Sequence, residues 1–274
     1  MSRISGTFDE LRGRGRKAVI PYVVAGDPSP EGTVSLLHEL VKSGADVLEV
    51  GVPFSDPMAE GPVIQKGHER ALANGMTLRK VLSHVAEFRR QDAKTPIVMM
   101  GYANPIERFG YDAFASACAE AGVDGLITVD LPPEEVDAID AALQSVGLDN
   151  IFLISPTTPE ARVQTIVDRA RGFIYCVAVK GVTGSGRLDT VAVAESVKRI
   201  RSKTALPIAV GFGIKDGESA KAIATTADAV VVGSALIDRM EQVASGGETS
   251  QIQIHGAAVK LLQSIRAGVD SSPS

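Results

Sequence analysis

LEVGVPFSDPMAEGP, residues 48–62, begins as a strand and ends as a loop. The strand half sets one carboxylate, Glu49, between Leu48 and Val50, and the loop half adds Asp56 and Glu60. Successive side chains of a strand point to opposite faces. If Leu48 and Val50 pack on helices, Glu49 points into whatever the strands enclose. Short β-branched runs of the same kind recur as AVIPYVVAG (18–26), PIVMMGY (96–102), GLITVD (125–130), IFLIS (151–155), FIYCVAV (173–179), PIAVGFG (207–213) and AVVVGSALI (229–237). Near-continuous apolar runs are typical of parallel strands buried on both faces. Between them TVSLLHELVKSG, AFASACAEAG, EEVDAIDAALQSVG, PEARVQTIVDRA and VAVAESVKRIRSK repeat apolar residues at helical spacing. Eight such strands alternating with helices over about 230 residues predict the α/β fold of an eight-stranded parallel (β/α)8 barrel, the TIM barrel. A doubly wound open sheet would show fewer strands and a glycine fingerprint after the first, which is absent. Residues 1–14 predict an extra N-terminal helix plugging the barrel bottom, and 61–92 a short helix and then a longer one. One domain over 1–266 is expected, with a frayed tail at 267–274.

Of 274 residues, 45% are apolar, enough for a full core. No apolar run approaches the roughly 18 residues of a membrane span, and MSRISGTFDELRGRGRK has no apolar stretch fit for a signal peptide. A cytoplasmic protein is the expectation. The net charge is −5, with scattered acids and no basic stripe, which disfavours nucleic acid as a partner. Cys118 and Cys176 lie in apolar surroundings and read as buried free thiols. His38, His68, His84 and His255 lie in polar helical contexts without metal-ligand spacing, so they read as solvated and no metal is expected.

Active sites of this barrel lie at the C-terminal ends of the strands. Glycines follow strands 6, 7 and 8 in GVTGSG, GFG and GSA. Glycine lets backbone N–H groups approach an anion closely, and each following helix adds its positive end. Gly184, Phe212, Gly213, Gly233 and Ser234 are therefore candidate phosphate-binding positions. KGVTGSGR (180–187) reads as a lid over the mouth. No strand run contains Lys or Arg, so an inward Glu49 lacks an obvious cation. Desolvation would then raise its pKa and suit it to acid–base work near neutral pH. Tyr22, Met100, Tyr102, Tyr175 and Phe212 lie on or just past strands and could line a flat apolar pocket. A Schiff-base lysine is disfavoured, Lys180 at the end of strand 6 being the one candidate. The residues together describe an enzyme acting on a phosphorylated small molecule with an aromatic or apolar end.

At this point the sequence closely resembles the α subunit family of tryptophan synthase, the indole-3-glycerol-phosphate lyases. The likeness is carried by LRGRGRKAVIPYVVAGDPS, LEVGVPFSDPMAEGPVIQ, TPIVMMGYANPI, GVDGLITVDLPPEE, SPTTPEAR, FIYCVAVKGVTG, LPIAVGFGI and VVVGSALI. The resemblance implies retro-aldol cleavage of indole-3-glycerol phosphate to indole and glyceraldehyde 3-phosphate, within tryptophan biosynthesis and without a cofactor. It implies that Glu49 is the acid/base, that Glu60 accepts the indole N–H, and that Tyr175 belongs to the catalytic set. Thr183 would orient the loop acid from the lid. The indole slot would be Tyr22, Met100, Tyr102, Ile127, Val129, Leu153, Tyr175 and Phe212, with Asp130 in support. A pyridoxal-phosphate β subunit is the implied partner in a heterotetramer, facing Pro53, Phe54, Asp56, Pro57, Asn104 and Pro105.

The sequence departs from the family pattern at three points. Glu60 stands where the family has Asp, Ala178-Val179-Lys180 precedes the lid glycines, and the strand-4 end reads TVD rather than VPD. An extra methylene moves a carboxylate by roughly 1 Å, and a misplacement of that size can cost about a hundredfold in rate. A pairing of Lys180 with Glu60 across the lid is one expectation. The departures leave a second function open, a diverged homologue of weak or absent lyase activity. It would serve as an activating partner of a β subunit or supply indole to a specialised pathway.

Overall fold

The computed structural model describes residues 2–177, 189–211, 213–247 and 250–272. In chain order the elements begin α1 (Arg3–Gly13), β1 (Ala18–Val24), α2 (Thr33–Lys42), β2 (Leu48–Gly51), α3 (Pro62–Ala73) and α4 (Leu78–Arg89). They continue β3 (Ile97–Gly101), α5 (Ala103–Phe109), α6 (Tyr111–Ala121), β4 (Gly125–Thr128), α7 (Asp137–Ser145), β5 (Asp149–Ile154) and α8 (Glu160–Arg169). The chain ends β6 (Ile174–Val177), α9 (Thr190–Arg201), β7 (Ile208–Gly211), α10 (Gly217–Ala224), β8 (Ala229–Val232), α11 (Ser234–Ser245) and α12 (Gln251–Asp270). The eight strands close in sequence order, each parallel to the next and β8 parallel to β1. This is the (β/α)8 barrel that the apolar runs predict.

Strand register decides which residues share the barrel interior. Tyr22 lies level with Glu49, Glu49 with Val98, Met100 with Ile127, and Leu153 with Tyr175. Paired residues of parallel strands point to the same side, so these fall on one face, and Leu48 and Val50 on the other. Tyr175 on β6 feels the charge of Glu49 on β2, although the two strands are not neighbours. That influence crosses the barrel, so the shared face is the inner one. Beneath it α1 closes the bottom: Phe8 meets Phe173 with ring centroids 5.8 Å apart, and Arg3 pairs with Asp124 at 2.7 Å.

Several boundaries differ from the sequence reading. β1 stops at Val24 rather than Gly26, and β8 at Val232, because GSALI already turns into α11. The two helices after β2 are equally long, 12 residues each. α5, α10, α11 and α12 lie outside the segments of helical period named above, although Ile254, Ala258, Leu262, Ile265 and Val269 of α12 bury one face at that spacing.

The tail expected to fray from residue 267 is instead helical to Asp270, with Val269 buried. The physical reason is a tight crossing of α12 over α10. A Cβ on Gly268 would lie 2.0 Å from the Gly217 carbonyl oxygen, and one on Gly217 would lie 2.5 Å from that of Ser264. Backbone cannot swing aside as a side chain can. Gly268→Ala is therefore expected to destabilise the fold by about 1–3 kcal/mol, the usual cost of overpacking. Urea unfolding of the two proteins checks this, and equal midpoints would refute it.

Candidate active site

Glu49 is 1% exposed, and neither carboxylate oxygen has a hydrogen-bond partner among the described residues. Burial, joined by the nearby charge of Glu60, pushes its pKa up to about 8. Glu60 is half-buried in the loop after β2, and burial pushes it up to about 7. Its charge bears on Glu49, Tyr22, Tyr102 and Tyr175 alike. The longer Glu60 side chain therefore still faces the barrel mouth. Both carboxyl groups sit where an unpaired charge is costly, so each can gain or lose a proton near neutral pH.

The loop that carries Glu60 is tethered at several points. Gln65 Nε2 donates to the Glu60 carbonyl at 2.9 Å, and the Glu60 amide donates to the Pro57 carbonyl at 3.0 Å. The Ala59 amide donates to Tyr102 Oη at 3.3 Å, and Phe54 stacks on the Tyr102 ring with centroids 5.0 Å apart. Tyr102, Tyr22, Met100 and Ile127 are buried, while Val129, Leu153 and Tyr175 are part-exposed toward the mouth. Asp130 Oδ1 accepts from the Ala103 amide at 2.7 Å, and so holds the start of α5 beside the site.

Two glycines serve as seats for the tyrosines. A Cβ on Gly51 would lie 2.3 Å from Tyr22 Oη, and one on Gly211 would lie 2.2 Å from Tyr175 Oη. Each phenol lies across the end of the next strand. Gly211, read from sequence as part of a phosphate loop, is thus also the rest for Tyr175. Gly233 packs against Tyr22 in turn, its would-be Cβ 3.0 Å from the ring.

Phosphate-binding capacity is uneven at the three expected loops. The N-terminus of α9 is capped by Asp189, and that of α10 by Asp216 in a capping box with Ser219. α11, opening at Ser234 after Gly233, has no side-chain cap. Its first amides are free to meet an anion, and the helix dipole favours one there. Gly213, two residues past the end of β7, has φ +79°, a left-handed conformation suited to glycine. Lys180, Thr183, Gly184 and Phe212 lie outside the described residues, and so does the expected Lys180–Glu60 pairing.

Asp56 and Asn104 are exposed, Phe54, Pro57 and Pro105 part-exposed, and Pro53 is buried beneath the loop. Asp56, exposed, accepts a hydrogen bond from Ser55 Oγ at 2.6 Å. At the end of β1, Asp27 is buried and held by Arg70 through bonds of 2.6 and 3.0 Å, with Arg70 also reaching Glu241. Removing Arg70 alone would strand a buried charge, which costs about 3–5 kcal/mol.

The histidines need correction. His68 and His255 are each only 2% exposed. His68 stands on the inner side of α3, its Nδ1 accepting from the Phe54 amide at 3.0 Å and its Nε2 lying 3.3 Å from Tyr22 Oη. Sequence reasoning missed it, although Ile64, His68 and Ala71 fall at the i, i+4, i+7 spacing of one helix face. Both cysteines are buried and free, as their contexts predict. Among the described residues no group of His, Cys, Asp and Glu could hold a metal ion, and no helix is long and apolar enough to cross a membrane.

A closed (β/α)8 barrel with two desolvated carboxyl groups and three tyrosines at its mouth has the make-up of an acid–base enzyme of small molecules. Comparison with known proteins gives this class a family. The model of the tryptophan synthase alpha chain matches residues 8–266. The tryptophan synthase alpha chain of Thioalkalivibrio sulfidiphilus (strain HL-EbGR7) is 58% identical over 88% of this chain and 91% of its own. That of Dechloromonas aromatica (strain RCB) is 54% identical over 98% of both chains. The crystal structure of tryptophan synthase subunit alpha from Legionella pneumophila str. Paris superposes with a TM-score of 0.91 at 45% identity, covering 98% of this chain and 99% of that one. The chain belongs to the tryptophan synthase alpha chain family.

Proposed function

We propose that the protein cleaves indole-3-glycerol phosphate by a retro-aldol reaction to indole and glyceraldehyde 3-phosphate, as the α subunit of a cytoplasmic tryptophan synthase. The observation that carries the reading is the pair Glu49 and Glu60, poised near neutral pH beside an apolar, tyrosine-lined cavity. Family membership supports it over nearly the whole chain.

The chemistry follows from the two environments. At pH 7 Glu49 is largely protonated and acts first as an acid, giving its proton to C3 of the indole. C3 becomes tetrahedral and the ring nitrogen cationic. Glu60, ionised, lies where an anion stabilises that charge as it develops. The carboxylate left at Glu49 then takes the proton of the side-chain hydroxyl. The C–C bond breaks, its electron pair returns to the ring, and the aldehyde departs. The proton lent to C3 is recovered from the hydroxyl, so Glu49 ends as it began. The phosphate would sit at the α11 N-terminus and Gly213. The loop bearing Phe54, Asp56 and Pro57, with Asn104 and Pro105 beside it, would face a β subunit and pass indole to it.

Steady-state cleavage of indole-3-glycerol phosphate, with and without a β subunit, tests the reading; no turnover in either condition rejects it. The cycle needs Glu60 ionised and Glu49 protonated. kcat/KM is therefore expected to follow a bell, rising as Glu60 ionises near pH 7 and falling as Glu49 deprotonates near pH 8. The two groups influence each other, so the limbs belong to the pair. Glu60→Gln should lose the acidic limb, and a profile flat from about pH 6 to 9 would contradict the assignment.

A further inference from the structure

His68 is a buried polar side chain that the reaction above does not use. Its two hydrogen bonds settle the ring's protonation. A backbone amide can only donate, so Nδ1, facing the Phe54 N–H at 3.0 Å, must be bare. The neutral ring then carries its proton on Nε2, and that N–H points at Tyr22 Oη, 3.3 Å away. Burial lowers the His68 pKa to about 4, which keeps the ring neutral through the working range. Tyr22 Oη therefore accepts from His68, and its own proton must point elsewhere. Among the described residues no acceptor for that proton is found within the protein. The phenol is seated on Gly51, two residues past Glu49 on β2, and it feels the charges of Glu60 and Glu49.

We propose that His68 is a positioning residue for the cleavage reaction. One ring nitrogen holds the Tyr22 hydroxyl and the other holds the Phe54 amide, so that the phenol's proton is presented to the cavity shared by Glu49 and Glu60. The inference rests on the lyase reading. Its consequence falls on the intermediate in which Glu49 has given up its proton. Among the described residues that carboxylate has no hydrogen-bond partner in the resting protein, and a phenol proton presented to the same cavity stabilises the charge only while it exists. Such an interaction speeds the chemical step without tightening substrate binding. The same ring also fixes the base of the loop bearing Glu60, since Phe54 lies six residues before it.

The test combines kinetics and ring spectroscopy on the full chain. His68→Asn keeps an acceptor near the Phe54 amide and withdraws the donor from Tyr22. Its kcat is expected to fall about tenfold, the loss of roughly one hydrogen bond, with KM within about twofold. Tyr22→Phe should fall alike, and the double variant should be no slower than Tyr22→Phe alone. Losses that multiply, or a His68→Asn kcat equal to that of the parent, overturn the proposal. In the unmodified protein at pH 7, nitrogen-15 shifts of the His68 ring should report the Nε2–H tautomer. An Nδ1–H or doubly protonated ring overturns the proposal even if a variant fails to fold. A parent chain that does not cleave indole-3-glycerol phosphate overturns the lyase reading instead, and the ring tautomer is still measured.

Discussion

Glu49→Gln is expected to lose at least about a hundredfold in kcat for indole-3-glycerol phosphate cleavage and, at alkaline pH, to be more stable than the parent. The first half follows from removing the one proton that reaches C3. The second follows from linkage. In the unfolded chain Glu49 titrates near 4.5, and in the barrel near 8, because burial disfavours its charge. Between those values the folded state holds a proton that the unfolded state has released. Stability from this group is complete below pH 4.5, falls as pH rises, and is gone above about 8. The span corresponds to several kcal/mol, up to about 5. Glutamine has the same shape and nothing to ionise. Denaturant melts at pH 5 and pH 9 should therefore agree at the lower pH and favour Glu49→Gln at the higher one. Equal stabilities at both would mean that the Glu49 carboxyl is not desolvated.

Gly51→Ala should be the most damaging single methyl group in the site. The new Cβ would lie 2.3 Å from Tyr22 Oη and 2.7 Å from its Cζ, and both atoms belong to a ring that is 4% exposed. A buried ring cannot turn away without moving His68 and Gly233, which touch it. We expect a loss of about 1–3 kcal/mol from overpacking, and about a hundredfold in turnover from displacement of the pocket wall. Adding Tyr22→Val removes the obstruction, so the stability losses of the two single variants should be less than additive in the double variant, while turnover stays low. If Gly51→Ala alone melts and turns over like the parent, the tyrosine is not seated as described. Gly211→Ala against Tyr175 is the matching case on the far side of the barrel.

These effects differ in how far the sequence foretells them. Glu49 was legible because a strand has period two. With Leu48 and Val50 outside, its place inside followed without any knowledge of the fold. The eight strands were legible for the same reason, as short runs buried on both faces. The seating of Tyr22 on Gly51 was not, because it joins residues on different strands through a register that only the closed barrel sets. His68 sits in PVIQKGHERALA, where Gln65, Lys66, Glu69 and Arg70 surround it with polar neighbours. Its burial depends on the packing of α3 against β1. Gly217 and Gly268 likewise acquire meaning only where two helices cross. The glycine loops were legible as punctuation, but only the structure distinguishes α11, which has no side-chain cap, from α9 and α10, where an aspartate accepts from one first-turn amide each.

The placing of the tyrosines has an optical consequence. The chain contains four tyrosines and no tryptophan. Tyr22, Tyr102 and Tyr175 surround the cavity, and Tyr111 stands apart on α6. Light absorbed by indole but not by phenol would excite only the ligand. Substrate or product would then fluoresce against a dark protein, and at shorter wavelengths that phenols do absorb, the three tyrosines around the slot would pass their excitation to a bound indole. Occupancy of the cavity could thus be followed on the unlabelled chain from the indole emission that tyrosine excitation produces.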